Sequence, residues 1–166
     1  MLLHQNLTLI CTEKINIMKI VKIEKNKKKY IDLLLLADEQ ENMIDCYLER
    51  GTMYGLLDFN HEVKAICVVT DEGNSILEIK NIAVNPECQH KGYGKKLIRF
   101  IENNYRYFYK ILRVGTGDSL LTIPFYKKCG FKESYRVKNF FIDNYNHPIF
   151  ECGKQLIDMI YLEKFL

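Results

Sequence analysis

The sequence of 166 residues contains no tryptophan, only three prolines and only nine glycines. Chain breakers are too few for a collagen-like or Gly/Pro-rich disordered chain, and at 48% hydrophobic and 27% charged the composition is that of a globular domain. No apolar run approaches the roughly 18 residues that a membrane helix needs, so no membrane partner is expected. No pair of the six cysteines forms C-x-x-C, and no histidine stands at zinc-ligand spacing from a cysteine pair, so no metal is expected either. A chain of this length needs no covalent staples. The scattered cysteines read as reduced thiols of a cytoplasmic protein. An excess of one charge is also missing. Twenty-four Lys and Arg stand against 21 Asp and Glu, and a net charge of +3 does not argue for nucleic acid. The run Lys25, Lys27, Lys28 and Lys29 accounts for that excess and reads as a solvated face or a helix start. Both G-x-x-x-x-G-K-[ST] and G-x-G-x-x-G are absent, Leu97 standing where the latter needs its third glycine, which argues against an NTPase and a nicotinamide dehydrogenase.

The first 17 residues lack the cationic start and the cleavage site of a signal peptide. The strand-like run that opens at Met18 makes 1–17 an N-terminal extension and 18–166 one domain. Hydrophobic periodicity predicts a strand at 19–24, then a helix that Asn26 could cap, and a second helix from Asp38 to Gly51. Two hairpin-linked strands follow at 53–59 and 63–70, then a long strand at 76–84. A helix from Gly92 to about 107 keeps Leu97, Ile98 and Ile101 on one face. A short strand at 111–114, a turn at 115–118, a helix at 119–128, a strand at 131–142 and a final strand at 156–162 complete the order. Tight turns among some strands and helical crossovers between others imply a mixed, mostly antiparallel sheet of about seven strands flanked by four helices, an α/β (α+β) domain.

The chemistry concentrates after the long strand. Gln89-His90-Lys91-Gly92-Tyr93-Gly94 leads straight into a helix. The first N–H groups of a helix lack intrahelical acceptors, and two glycines leave the backbone open to close approach. Lys91, Lys95 and Lys96 add positive charge. A diphosphate suits such a place.

Three segments together, Asn81-Ile82-Ala83-Val84, the Gln-x-x-Gly-x-Gly loop, and Pro124-Phe125-Tyr126-Lys127-Lys128-Cys129-Gly130-Phe131 downstream, resemble the GNAT N-acetyltransferases over residues 18–166. The predicted strand order is also that of this fold, and it is the pairing of the two motifs that makes the likeness specific. The resemblance implies acetyl-CoA as cosubstrate. The backbone of Ile82, Ala83 and Val84 would bond the pantetheine arm, and Gln89, His90, Lys91, Gly92, Tyr93, Gly94 and Lys95 would form the pyrophosphate loop. It also implies Tyr126 as the acid that protonates the departing thiolate, a positioned phenol serving as donor. Many relatives carry an asparagine where this chain has Asp118-Ser119. Both are good caps, and Ser119 could reach the pantetheine.

For a base, Glu78 lies four residues before Ile82, and alternation along a strand would put both on one face. Some relatives carry a glutamate on the next strand, where this chain has Val114. An amine that arrives neutral needs no strong base. Cys129, next to a helix C-terminus that would raise its pKa, reads as packing. The aromatic and acidic tail around Tyr145 and His147 brings Asp143 and Glu151, which would suit a cationic amine. The expected reaction is direct acetyl transfer from acetyl-CoA to a small-molecule or polypeptide primary amine. The alternatives are a longer acyl group and an acetyl-CoA sensor of the same fold. Analogy to relatives admits a homodimer through the C-terminal strands.

Overall fold

The computed structural model describes residues 18–166. The extension expected at 1–17 lies outside the described residues. In chain order the elements are β1 (Lys19–Ile23), α1 (Ile31–Leu34), α2 (Glu41–Leu48), β2 (Thr52–Leu57), β3 (Val63–Asp71), β4 (Ile76–Val84), α3 (Tyr93–Tyr105), β5 (Ile111–Gly117), α4 (Thr122–Lys128), β6 (Lys132–Val137), α5 (Phe140–Asn144), β7 (Phe150–Glu151), β8 (Lys154–Gln155) and β9 (Met159–Phe165). Seven strands form one sheet in the order β1-β2-β3-β4-β5-β9-β6, while β7 and β8 make a separate hairpin. Every neighbour pair in the large sheet is antiparallel except β4 and β5, which the crossover helix α3 joins in parallel. The expected mixed, mostly antiparallel seven-stranded sheet is therefore what forms, with a fifth helix.

The sheet buries both faces over its first half. On one face Leu97, Ile98 and Ile101 of α3 and Tyr126 of α4 pack on Cys67, Val69, Leu77 and Ile79. The 3–4 spacing of the α3 residues makes this stripe, and each fully buried aliphatic contributes roughly 1.5–3 kcal/mol. On the other face Leu34, Ile44 and Leu48 of α1 and α2 cover Met53, Ile66 and Val68. The lysine run supports this layer. Lys27 Nζ donates to the carbonyls of Leu48, Glu49 and Gly51 at 2.9, 3.1 and 2.7 Å, closing the C-terminus of α2. Lys28 pairs with Glu41 and Asp45 at 3.0 and 2.7 Å. The run is thus partly a helix clamp rather than only a solvated face.

Several boundaries differ from expectation. Asn26 sits in the left-handed region (φ 54°) and makes no side-chain cap; a 3-10 turn at Lys27–Tyr30 intervenes before α1. The second helix starts at Glu41, which frees Asp38 for another use. Gly115 and Gly117 are strand, not turn, because β9 pairs along β5 as far as Met159. The expected long strand 131–142 stops at Val137. Asn139, left-handed at φ 56°, turns the chain with its N–H on Asp158 Oδ1, and Phe141 of α5 then buries against Ile149 and Leu156. The last strand begins at Met159 rather than 156 because Leu156 belongs to that small cluster.

Candidate active site

The parallel pairing of β4 with β5 covers only Ile76 to Ile79 against Ile111 to Val114. Beyond it β4 runs on beside β3, and β5 runs on beside β9. The two strands part, and a cleft of about 290 Å³ opens between them, lined by Ile82, Ala83 and Val84 on one wall and Val114, Gly115 and Thr116 on the other. An extended ligand entering here meets a strand edge with unused backbone groups.

Tyr126 stands in this cleft, 6% exposed. Its ring packs edge-on against Phe125 and Phe131, with centroids 5.1 and 5.8 Å away. Among the described residues no hydrogen-bond partner meets its hydroxyl. Burial pushes its pKa well above that of an ordinary phenol, so the group stays protonated as a donor. Thr116 and Thr122 share a 2.6 Å hydrogen bond that ties the end of β5 to the start of α4 beside it.

At the end of β4 the loop behaves as its residues suggest. Gly92 takes φ 79°, with nothing within 4 Å of where a Cβ would stand, so glycine is required there by conformation. Gly94 is different: a Cβ would meet Phe125 Cζ at 3.1 Å, so this glycine also lets α3 approach α4. Lys96 is the first residue of α3 to bond back, to the Gly92 carbonyl at 3.0 Å, and the N–H groups of the first turn point out past exposed Lys91 and Lys95. Gln89 lines the cleft, its Nε2 donating to the Val84 carbonyl at 3.3 Å. His90 is exposed in the left-handed region at φ 60°.

Two expected residues are placed otherwise. Ser119 is 5% exposed and does not line the cleft; its Oγ accepts from the N–H groups of Leu121 and Thr122 at 3.0 and 3.3 Å, which is the capping role. The argument that put Glu78 on the face of Ile82 fails. Val69 pairs with Ile79 while Val68 pairs with Asn81, so Lys80 is an extra residue, a β-bulge. The bulge reverses the alternation. Ile79 packs with α3 and α4, yet Ala83, four residues later, packs with α1 and α2. Glu78 therefore faces α2 while Ile82 faces the opposite layer. It is buried beside Tyr47, Arg50 and Tyr161, outside the cleft, and its Oε1 accepts from Lys80 Nζ at 2.7 Å.

Residues given no site role from the sequence also line the cleft. Asp38 accepts from the Tyr145 hydroxyl at 2.9 Å and, at a longer 3.4 Å, from that of Tyr47. Burial raises its pKa, against the lowering by these hydrogen bonds. Asn81 is 2% exposed, and its Nδ2 donates to the Leu34 carbonyl and to Tyr47 Oη at 2.9 and 3.0 Å. An asparagine inside an apolar strand run was a signal in the sequence. Of the tail acids, Glu151 lines the cleft, whereas Asp143 is exposed away from it.

A splayed parallel strand pair, a glycine-entered helix beside it and a buried phenol in the gap define an acyl-CoA-dependent transferase. Comparison with known proteins agrees. The acetyltransferase (GNAT) domain model matches residues 49–133. An uncharacterized N-acetyltransferase of Bacillus subtilis, YvbK, is 36% identical over 141 residues, covering 84% of this chain and 90% of that protein. A GNAT family acetyltransferase from Elizabethkingia anophelis, solved with acetyl-CoA bound, superposes with a TM-score of 0.84 at 37% identity, covering 90% of this chain and 98% of that one. A B. subtilis acetyltransferase in complex with CoA gives 0.81 at 35% identity, covering 90% and 99%. The chain belongs to the GNAT family and is an acyl-CoA-dependent acetyltransferase.

Proposed function

We propose that the protein transfers the acetyl group of acetyl-CoA to a primary amine by direct attack within a ternary complex. The observation that carries this reading is Tyr126, a buried phenol whose hydroxyl has no partner among the described residues, standing where β4 and β5 part. The open edge of Ile82, Ala83 and Val84 accepts the amide groups of the pantetheine arm. The outward N–H groups at the start of α3, with Lys91 and Lys95, hold the pyrophosphate. The thioester then lies beside Tyr126.

The amine nitrogen forms a bond to the acetyl carbon, the carbon–sulfur bond breaks, and the thiolate takes the Tyr126 proton. The surplus proton of the amine leaves through water in the cleft and restores the phenol. The sum is amine plus acetyl-CoA giving N-acetylamine plus free CoA. Backbone N–H groups of β4 stabilise the charge that develops on the carbonyl oxygen. Glu78 faces away, so a role as base would run through Lys80 or water. Direct transfer is supported by the cysteines: among the described residues none lines the cleft, and burial raises the thiol pKa of both Cys67 and Cys129.

The test is thermal stabilisation by acetyl-CoA and CoA beside ATP and NAD, followed by thiol release with an amine panel. A ligand that binds only the folded state raises its stability. Shifts with acetyl-CoA and CoA alone, and amine-dependent thiol release, are expected. No shift at millimolar concentration refutes the coenzyme site.

A further inference from the structure

Resting on that acetyl-transfer reading, we propose that the acceptor is an amine carrying a second, non-reacting ammonium and that Asp38 is its specificity-determining residue, taking that ammonium while Asn81 Oδ1 accepts a further N–H.

Two independent features meet here. The first is an unfilled acceptor. Asn81 Oδ1 is buried without a hydrogen-bond partner, the one such side-chain atom among the described residues. The orientation of the amide is settled by its neighbour: the Leu34 carbonyl can only accept, so Nδ2 must face it and Oδ1 is left over. A buried polar atom left unpaired costs on the order of 1–3 kcal/mol, and Asn81 is among the residues that line the cleft.

The second feature is the charge. Asp38, Glu39 and Glu151 line the cleft, and among the described residues Lys80 is the one cation that does. Its ammonium is bound to Glu78, and although its charge also reaches Asp38, it is a single cation against three lining acids. Among the described residues Asp38 makes no ion pair. Tyr145, beyond α5, and Tyr47, on α2, both donate to it, and neither carries charge to balance it. A carboxylate offers about four acceptor positions; these two hydrogen bonds and one from the Gln40 backbone N–H use three and leave one for a ligand. Asn81, Tyr47 and Asp38 form one chain of hydrogen bonds, so the orphan oxygen and the carboxylate belong to the same polar wall. Tyr145 and Phe150 also line the cleft, and aromatic side chains suit a cation.

The experiment compares the wild type with Asp38→Asn. Asparagine keeps the size and an acceptor oxygen for Tyr145 but removes the charge. Three acceptors are used: an alkyl diamine with two charges, an alkyl monoamine, and a zwitterionic amino acid. Kinetics are read by thiol release, and diamine binding to the CoA-loaded protein is read by calorimetry, which needs no turnover. The wild type is expected to bind the diamine best. The variant should raise the diamine KM at least tenfold with a much smaller change in kcat. Its stabilisation by acetyl-CoA should be unchanged, and its melting temperature should not fall. The proposal is overturned by an unchanged diamine KM, by a wild type that prefers the zwitterion or gives no heat with the diamine, or by a lowered melting temperature with equal loss for all three amines, which would mark Asp38 as structural. Absence of any acetyl-CoA shift in the wild type would instead refute the transferase reading on which this rests.

Discussion

Replacing Tyr126 with phenylalanine isolates one oxygen atom. The ring contacts with Phe125 and Phe131 survive the change, so packing is retained. No hydrogen bond is lost, because none is made to the hydroxyl among the described residues. Desolvating a hydroxyl without a partner costs about 1–3 kcal/mol in full burial, and Tyr126 keeps 6% exposure, so at most about 1 kcal/mol should be recovered. For a chain of this size that is a rise in melting temperature of about 2–4 °C. Loss of a positioned general acid should cut turnover by about 10²–10⁴-fold. Affinity for acetyl-CoA, read as ligand-induced stabilisation, should hardly move, since the contacts proposed for the pantetheine and pyrophosphate lie on β4 and α3. The assay pair is thiol release at saturating coenzyme and a melting curve with and without acetyl-CoA. Turnover within twofold of wild type would remove Tyr126 as the acid. A drop of several degrees in melting temperature would show that the hydroxyl is a structural anchor, and the reasoning from its free state would fail. Because burial raises the phenol's pKa, the alkaline limb of the wild-type pH profile should not come from this group near the ordinary tyrosine value.

Gly94→Val should abolish stabilisation by acetyl-CoA, because its Cβ already meets Phe125 Cζ at 3.1 Å and the branched side chain fills the entrance to α3; undiminished stabilisation would undo the phosphate-loop assignment. Lys27→Met removes three hydrogen bonds to the C-terminus of α2 and should lower the melting temperature by about 3–6 °C while leaving the acetyl-CoA shift intact, which a pair of melting curves decides. Deleting residues 1–17 should leave the melting temperature nearly unchanged, since Met18, which packs against the main core, is retained; a large drop would place the deleted segment in the fold.

The order of the sheet could be read from sequence because it rests on local signals. Alternation in 63–70, the tight turns and the 3–4 stripe of α3 each act over a few residues, and burial rewards the same choice each time. What failed were choices made by distant partners. Residues 138–142 have strand-like composition, yet Asp158 holds the Asn139 N–H and sends the next turn into α5. Gly115 and Gly117 look like turn residues, but β9 supplies the ladder and Met159 and Leu156 fill the space their missing side chains leave. The need for glycine in the loop could be read because positive φ at Gly92 and close approach at Gly94 are properties of glycine itself. Asp38 could not. It reads as the start of a helix, and its role depends on Tyr145, far along the chain, and on Tyr47.

The bulge at Lys80 shows why a strand can be foreseen while its site cannot. Nothing in Ile79-Lys80-Asn81-Ile82 announces an extra residue, since the run keeps an acceptable strand composition. Only its pairing with Val68 and Val69 reveals it. Up to Ile79 the strand obeys the alternation and closes against β5. After Lys80 the faces are exchanged, and at the same place the partner on the β5 side is lost. The exchange puts Ile82 toward the layer that holds Tyr126 and puts Asn81 toward α1 and α2, beside Tyr47 and Asp38. With regular alternation Asn81 would enter the apolar layer under α3, where no acceptor or acid awaits it, and Glu78 would share a face with Ile82 as first expected. One inserted residue thus gives β4 the edge proposed for the coenzyme and the wall proposed for the acceptor, and it is why the acid to test is Asp38 rather than Glu78.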